Sequence, residues 1–347
     1  MMEKKIFNVG LIGAGPGIGI LHAKAVFDTE GAKLLWVCDP KEEAATKVAT
    51  DYQVPKTTAD YKDVLADPAV DAVIIATPDQ LHRQMVEDAL AAGKHILCEK
   101  PLALTREDID AIVAAVKKSD RIFMVGQLCR YTPGFLEAKK VVESGAIGEL
   151  TFIESEYAHD YTHILVGTTW RCDPLRNGVV GGGCHAVDLL RWVSGEDPEV
   201  ITAYGTHKTF SDLTPYDDTH VAIMKFPSGM IGKVMTSISC RRDYTMRSVF
   251  YGTKGTIITD NTSPSMKVFR MREEGHGCDI EEVALGVNNH NVAGEFADFY
   301  DCVVNGKPLT TTVVDGANTI AACLAIVESA NTMETVKPKY FSWSEKE

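Results

Sequence analysis

Nowhere in this 347-residue chain do two cysteines stand three positions apart. The nine cysteines are scattered, an odd number without metal spacing, which speaks against a disulfide framework or a zinc ribbon. Thiols that stay reduced fit better, and a cytoplasmic location is expected. No uninterrupted apolar run reaches about eighteen residues, the length a membrane-spanning helix needs. The opening Met1-Met2-Glu3-Lys4-Lys5 leads into a short apolar run broken by Asn8, too brief for the core of a secretory signal. Positive charge is also scarce: 35 Lys and Arg against 48 Asp and Glu give a formal charge of −13. That balance argues against nucleic acid or an anionic membrane as a partner. There is no internal repeat and no low-complexity linker.

What is present is the 45% hydrophobic, 24% charged composition of a globular chain, with length for two domains. Apolar runs at 6–12, 34–38, 72–76, 95–98 and 122–125 suit central parallel strands covered on both faces. Between them, Leu81, Met85 and Ala89, then Ile109, Ile112, Val113 and Val116, recur at helical spacing. This rhythm predicts an α/β fold beginning with a doubly wound parallel sheet. After Gln127 the pattern changes. One helix is expected over 132–144, then strands at 150–157, 200–205, 220–226, 231–238, 248–251, 256–259 and 266–269. Short turns such as Pro227-Ser228-Gly229 make that sheet mainly antiparallel and open. Helices return at 184–194, 292–304 and 315–331. The expected division is 1–127 for a dinucleotide-binding domain and 128–347 for an α+β domain that binds substrate and oligomerises.

Gly13-Ala14-Gly15-Pro16-Gly17-Ile18-Gly19 follows the first strand and enters a helix. Glycines there let the backbone approach a pyrophosphate, and the helix N-terminus offers free N–H groups. The usual GxGxxG spacing places Ile18 at its third glycine, and Gly19 comes one residue late. Asp39 ends the second strand about twenty residues on, where a carboxylate accepts ribose hydroxyls and repels a 2′-phosphate. NAD is therefore favoured over NADP.

Further along, Cys98-Glu99-Lys100-Pro101 puts Lys100 at the C-terminal edge of a buried strand, where doubly wound sheets hold their ligands. An ammonium there stabilises a developing alkoxide. His185 opens a later helix within Gly181-Gly182-Gly183-Cys184-His185-Ala186-Val187-Asp188 and has the proton affinity of a general base. Asp188, three residues on, shares its helix face. It orients the imidazole, bonds a substrate hydroxyl, or only favours the helix N-terminus through the dipole. Tyr157-Ala158-His159-Asp160-Tyr161 and Trp170-Arg171 offer aromatic faces and polar groups suited to sugars, with His159 and Tyr161 as candidate substrate contacts. His159 and His163 lack a third ligand in a recognisable pattern, so no metal is expected.

Ala76-Thr77-Pro78 with His82, the run from Ala91 to Pro101, Gly126-Gln127, Arg130-Tyr131 with Pro133, and Trp170-Arg171 together resemble the Gfo/Idh/MocA oxidoreductases, the glucose–fructose oxidoreductase and inositol dehydrogenase family. The resemblance covers essentially the whole chain. It implies a Rossmann domain, then an α/β domain whose open sheet often forms the subunit interface, hence a homodimer or homotetramer. It implies carbohydrate or cyclitol substrates. Thr77, His82, Glu99, Lys100, Gln127, Trp170 and Arg171 join Gly13, Gly15, Gly17, Ile18 and Asp39 as expected cofactor contacts. Arg130 and Tyr131 join Lys100, His159, Tyr161, His185 and Asp188 around the substrate. The family usually carries an aspartate four residues before the histidine; this chain has Gly181. Gly182-Gly183-Cys184-His185 resembles a subgroup that oxidises glycosides at the sugar 3-position. Two other readings stand beside a dehydrogenase: a non-hydrolytic glycosidase that reduces and reoxidises NAD within a turnover, and a non-catalytic regulator that senses dinucleotide.

Overall fold

The computed structural model describes residues 6–342. They form two compact units, the first made of the chain up to Leu128 together with Asn291–Ala317, the second of Cys129–His290 and the residues from Asn318 on.

The first unit is a six-stranded parallel sheet, β1 (Phe7–Ile12), β2 (Ala32–Cys38), β3 (Lys56–Thr58), β4 (Ala72–Ile75), β5 (His95–Glu99) and β6 (Phe123–Gly126), in the order β3-β2-β1-β4-β5-β6. Helices α1 (Ile18–Asp28), α2 (Glu42–Asp51), α3 (Tyr61–Ala66), α4 (His82–Ala91) and α5 (Arg106–Lys117) make the crossovers. All four residues of β4 are buried, as are those of β6, which explains why these strands read as continuous apolar runs. The order reverses direction between β1 and β4, and ligands of such sheets bind outside the carboxyl ends at that switch point.

The second unit begins with α6 (Pro133–Glu143), and its eight-stranded sheet starts at β7 (Leu150–Ala158). After the single-turn α7 (Thr162–Leu165), a turn of π-helix, Val179–Gly183, runs straight into α8 (Cys184–Ser194). Then come β8 (Val200–Thr206), β9 (Thr219–Lys225), β10 (Ile231–Ser237), β11 (Thr245–Gly252), β12 (Gly255–Asp260), β13 (Ser265–Met271) and β14 (Cys278–Ala284). The sheet order is β14-β13-β12-β11-β7-β10-β9-β8, antiparallel except where β10 runs parallel to β7. α8 is buried at nine of its positions, packs on β7 and β10, and ends at Gly195 in the left-handed conformation.

The division expected at 127/128 needs one correction. α9 (Val292–Asn305) and the start of α10 (Val313–Thr332) return to the first unit. Phe7 lies 5.6 Å from Tyr300 and 6.3 Å from Phe299 in ring-to-ring contact, and the Thr311 hydroxyl donates to the Val125 carbonyl at 2.7 Å. Aromatic burial against β1 thus draws a distant segment back. α10 is long and apolar enough to cross a bilayer by length and composition, but 67% of that window is buried within the protein.

Candidate active site

Because β1 to β6 are parallel, the residues that follow them share one edge of the sheet. Gly13 follows β1, Asp39 β2, Ala76 and Thr77 β4, Lys100 β5 and Gln127 β6. Gly13 has φ +100°, and a Cβ on it would lie 2.4 Å from the Ala76 carbonyl oxygen, so no other residue fits without moving β4. Gly19 takes the role of the third glycine, displaced by a single position: its Cβ would stand 2.3 Å from the Gly13 oxygen, which fixes how closely α1 approaches the loop. Around Gly15 and Gly17 there is open space, and Gly17 has φ +114°. No side chain caps α1 and its first turn holds no acid, Ile18 being its first residue. A bare backbone cradle at an uncapped helix N-terminus fits a pyrophosphate. Asp39 is buried and accepts from the Ala14 N–H (2.9 Å) and the Lys41 N–H (2.9 Å), leaving further lone pairs for ribose hydroxyls.

Two expected cofactor side chains also tie the fold together. His82 is fully buried between the Pro101 carbonyl (3.0 Å) and the Thr77 carbonyl (3.2 Å), tying the loop after β4 to that after β5. Glu99 is 4% exposed, and its carboxylate takes the His22 Nε2 contact (2.8 Å) on one oxygen and the Lys100 N–H (3.1 Å) on the other. Burial pushes the Glu99 carboxyl up, but His22 and Lys100 outweigh it and hold it below its ordinary value. Thr77 hydrogen-bonds the Met85 sulfur, and Gln127 is buried. Lys100 itself is half-buried.

In the second unit, His185 is buried, its Nδ1 3.1 Å from Cys129 Sγ and its ring stacked on Tyr157 at 6.1 Å. Cys129 Sγ in turn donates to Met246 Sδ at 3.8 Å. The structure brings Asp188 and Arg130 together. The two Asp188 oxygens receive a bidentate pair from Arg130 (2.8 and 2.8 Å), and Oδ1 also accepts from the Thr319 hydroxyl (2.9 Å). The side chains are 3% and 1% exposed. A dry, bidentate ion pair ties the Arg130 segment to α8, which gives Arg130 and Asp188 a structural role beside the one expected of them. Tyr131, beside them, is half-buried.

Gly181 has a physical reason. A Cβ there would sit 2.1 Å from Arg176 Nη1, and the buried Arg176 reaches the Gly181 carbonyl at 3.4 Å. A guanidinium fills the space where the resembled family keeps an aspartate. Arg176 also lies over the Trp170 indole at 5.1 Å, while Arg171 covers the same ring at 4.2 Å. His159 and Tyr161 belong to an aromatic cluster with Tyr157, Tyr244 and His290: the Tyr157 and Tyr161 hydroxyls are 2.7 Å apart, and His159 lies 4.8 Å from Tyr244. His159 is depressed to about 4 by burial and by the neighbouring His163 and His290, so its ring is neutral. The cluster borders a recess of about 800 Å³ lined by His159, His163, Arg241 and Tyr244 among others. Sequence reading passed over Cys129, Arg176, Tyr244 and His22. His22 alone left a trace, as a histidine among the small apolar residues of α1.

A glycine cradle after the first strand, a carboxylate after the second and a lysine after the fifth define a dinucleotide-binding oxidoreductase. Residues 7–127 match the model of the oxidoreductase family with an NAD-binding Rossmann fold, and residues 135–258 match the GFO/IDH/MocA C-terminal domain. The chain belongs to the Gfo/Idh/MocA family of NAD-dependent oxidoreductases. It is 30% identical to the uncharacterized oxidoreductase YrbE of Bacillus subtilis over 79% of this chain and 81% of that protein. Against myo-inositol 2-dehydrogenase of Thermotoga maritima it is 27% identical, over 95% and 98% of the two chains. Among solved structures, levoglucosan dehydrogenase in complex with NADH superposes with a TM-score of 0.89 at 25% identity, over 97% of this chain and all of that one.

Proposed function

We propose that this enzyme oxidises a ring hydroxyl of a sugar, glycoside or cyclitol, with Lys100 and His185 acting on that hydroxyl. Bound NAD supplies the hydride acceptor. Lys100 donates a charge-assisted hydrogen bond to the reacting oxygen and lowers the cost of its negative charge. His185 takes the hydroxyl proton. The observation that carries this reading is the Lys100 ammonium at the carboxyl edge of β5, on the edge that also bears Gly13 and Asp39. Support for His185 comes from its place beside Cys129, whose Sγ lies 3.1 Å from Nδ1: with the sulfur accepting from Nδ1–H, Nε2 would carry the lone pair a base needs. The neutral His159 and the Tyr157–Tyr161 hydroxyl pair are proposed substrate contacts; Trp170 and Arg171 are proposed cofactor contacts.

Relatives named for inositol and levoglucosan favour a cyclic polyol. Oxidation at a sugar 3-position is the finer form of the reading. Self-association through the open sheet is also proposed. Tyr204, Val221, Ile223, Ile231 and Tyr251 are all more than a third exposed, and strand register puts Tyr204 beside Val221 and Ile223 beside Lys233 on one face.

Absorbance of NADH during incubation with a panel of sugars, glycosides and cyclitols tests the chemistry. NADH formation with one of them, lost about 10²–10³-fold in Lys100→Met, is expected. Release of sugar from a glycoside without net NADH would instead favour internal redox cycling, and unchanged turnover in Lys100→Met would refute the assignment.

A further inference from the structure

Among the buried acids that the proposed chemistry does not use, one stands without a bonded oxygen. Glu295, in the first turn of α9, is 0% exposed, and neither of its carboxyl oxygens has a hydrogen-bond partner among the described residues. It faces His22 from α1 and Glu99 from β5; one ligand atom from each of the three lies within 4.8 Å of the others. Lys100, just beyond β5, and Asp298, one turn along α9, complete its charged surroundings, and Asp298 is held by Lys307 at 2.6 Å. Two carboxylates this close in a dry interior do not both ionise. Glu99 has a partner on each oxygen and keeps the charge. Glu295 is raised well above the carboxylate range by burial first and by Glu99 second, and it keeps the proton.

We propose that Glu295 is a positioning residue for Lys100, steadying the Glu99 carboxylate against His22 so that the end of β5 holds the ammonium ready, and that loss of its proton undoes this. The proposal rests on the reading of Lys100 as the group that meets the reacting oxygen. As a neutral acid, Glu295 brings one O–H donor and no charge to the cluster. Ionised, it sets a second anion against Glu99 and offers the Lys100 ammonium a competing partner, drawing it from the substrate oxygen. The enzyme then loses turnover as pH rises, without unfolding.

Glu295→Gln keeps the shape and cannot ionise. In the full-length enzyme its kcat is expected within about threefold of the parent at neutral pH. The alkaline fall in kcat should begin at least about one pH unit higher, with KM for NAD unmoved. Infrared spectroscopy gives a readout that needs no turnover: the C=O stretch of a neutral carboxylic acid, present in the parent at neutral pH and missing in Glu295→Gln. Superimposable alkaline limbs in the two proteins, or no such band, would overturn the proposal. So would a stoichiometric divalent cation in the purified parent that Glu295→Gln lacks, because the cluster would then be a metal site. Full activity in Lys100→Met sinks the positioning role together with the Lys100 reading but leaves the infrared band in place, so the two failures are told apart.

Discussion

Each unit of this protein buries an ionic cluster. In the second, Arg130, Asp188 and Thr319 all find partners: two guanidinium hydrogen bonds and a hydroxyl meet two carboxylate oxygens, with Arg191 3.9 Å from one of them. In the first, His22, Glu99 and Glu295 do not, because two acids confront one imidazole and Glu295 has neither oxygen bonded. The matched cluster serves as a rivet. The mismatched one holds, on our proposal, a proton that can be lost, next to the lysine proposed to meet the reacting oxygen. Burial alone does not separate a structural charge from a functional one; the balance of donors and acceptors does.

Breaking the matched cluster is expected to have the largest effect. Asp188→Ala strands Arg130 in the interior and should cost about 3–5 kcal/mol of unfolding free energy in a denaturant titration, whereas Arg130→Met with Asp188→Leu should recover most of it. Glu295→Gln should cost far less in the same titration, and equal losses from the two sites would erase the contrast. Next in size, Gly181→Ala drives a methyl into the Arg176 guanidinium and should destabilise by about 1–3 kcal/mol by thermal unfolding. An undisturbed melting curve would show that Arg176 swings away freely.

Cys129→Val keeps the bulk beside His185 but removes the sulfur proposed to accept from Nδ1–H, and kcat should fall roughly tenfold with KM for NAD unchanged. Nitrogen NMR should find Nδ1 protonated in the parent and a tautomer mixture in the variant; Nε2 protonated in the parent would contradict the assignment. The smallest effect concerns His159. Its folded value near 4 lies below the ordinary 6.5, so the unfolded chain binds the proton more readily and stability rises with pH across that window. His159→Phe should flatten the dependence there without altering it above neutrality.

Much of the fold was readable because its strands are buried on both faces or alternate cleanly. The two strands that escaped are the exceptions that physics predicts. β3 is three residues at a sheet edge, and β14, Cys-Asp-Ile-Glu-Glu-Val-Ala, is exposed along nearly its whole length, held by its ladder with β13 and not by a core. The return of α9 to the first unit left no composition change to notice. At the site, Gly13, Asp39 and Lys100 were legible because each follows a strand. The Arg130–Asp188 pair joins residues 58 apart, which spacing cannot reveal. Glu295 did leave a sign: Val292, Glu295, Phe296 and Phe299 form the buried stripe of α9, and an acid on an apolar stripe marks itself.

Asp39 carries a lesson for anyone wishing to redirect the enzyme towards the phosphorylated dinucleotide. On the role proposed for Asp39, a small neutral residue there would remove the repulsion of a 2′-phosphate, but it would also cut the strut from its side chain to the Ala14 amide that shapes the glycine turn. Cofactor exchange here therefore calls for a paired change, one residue to welcome the phosphate and another to brace the turn.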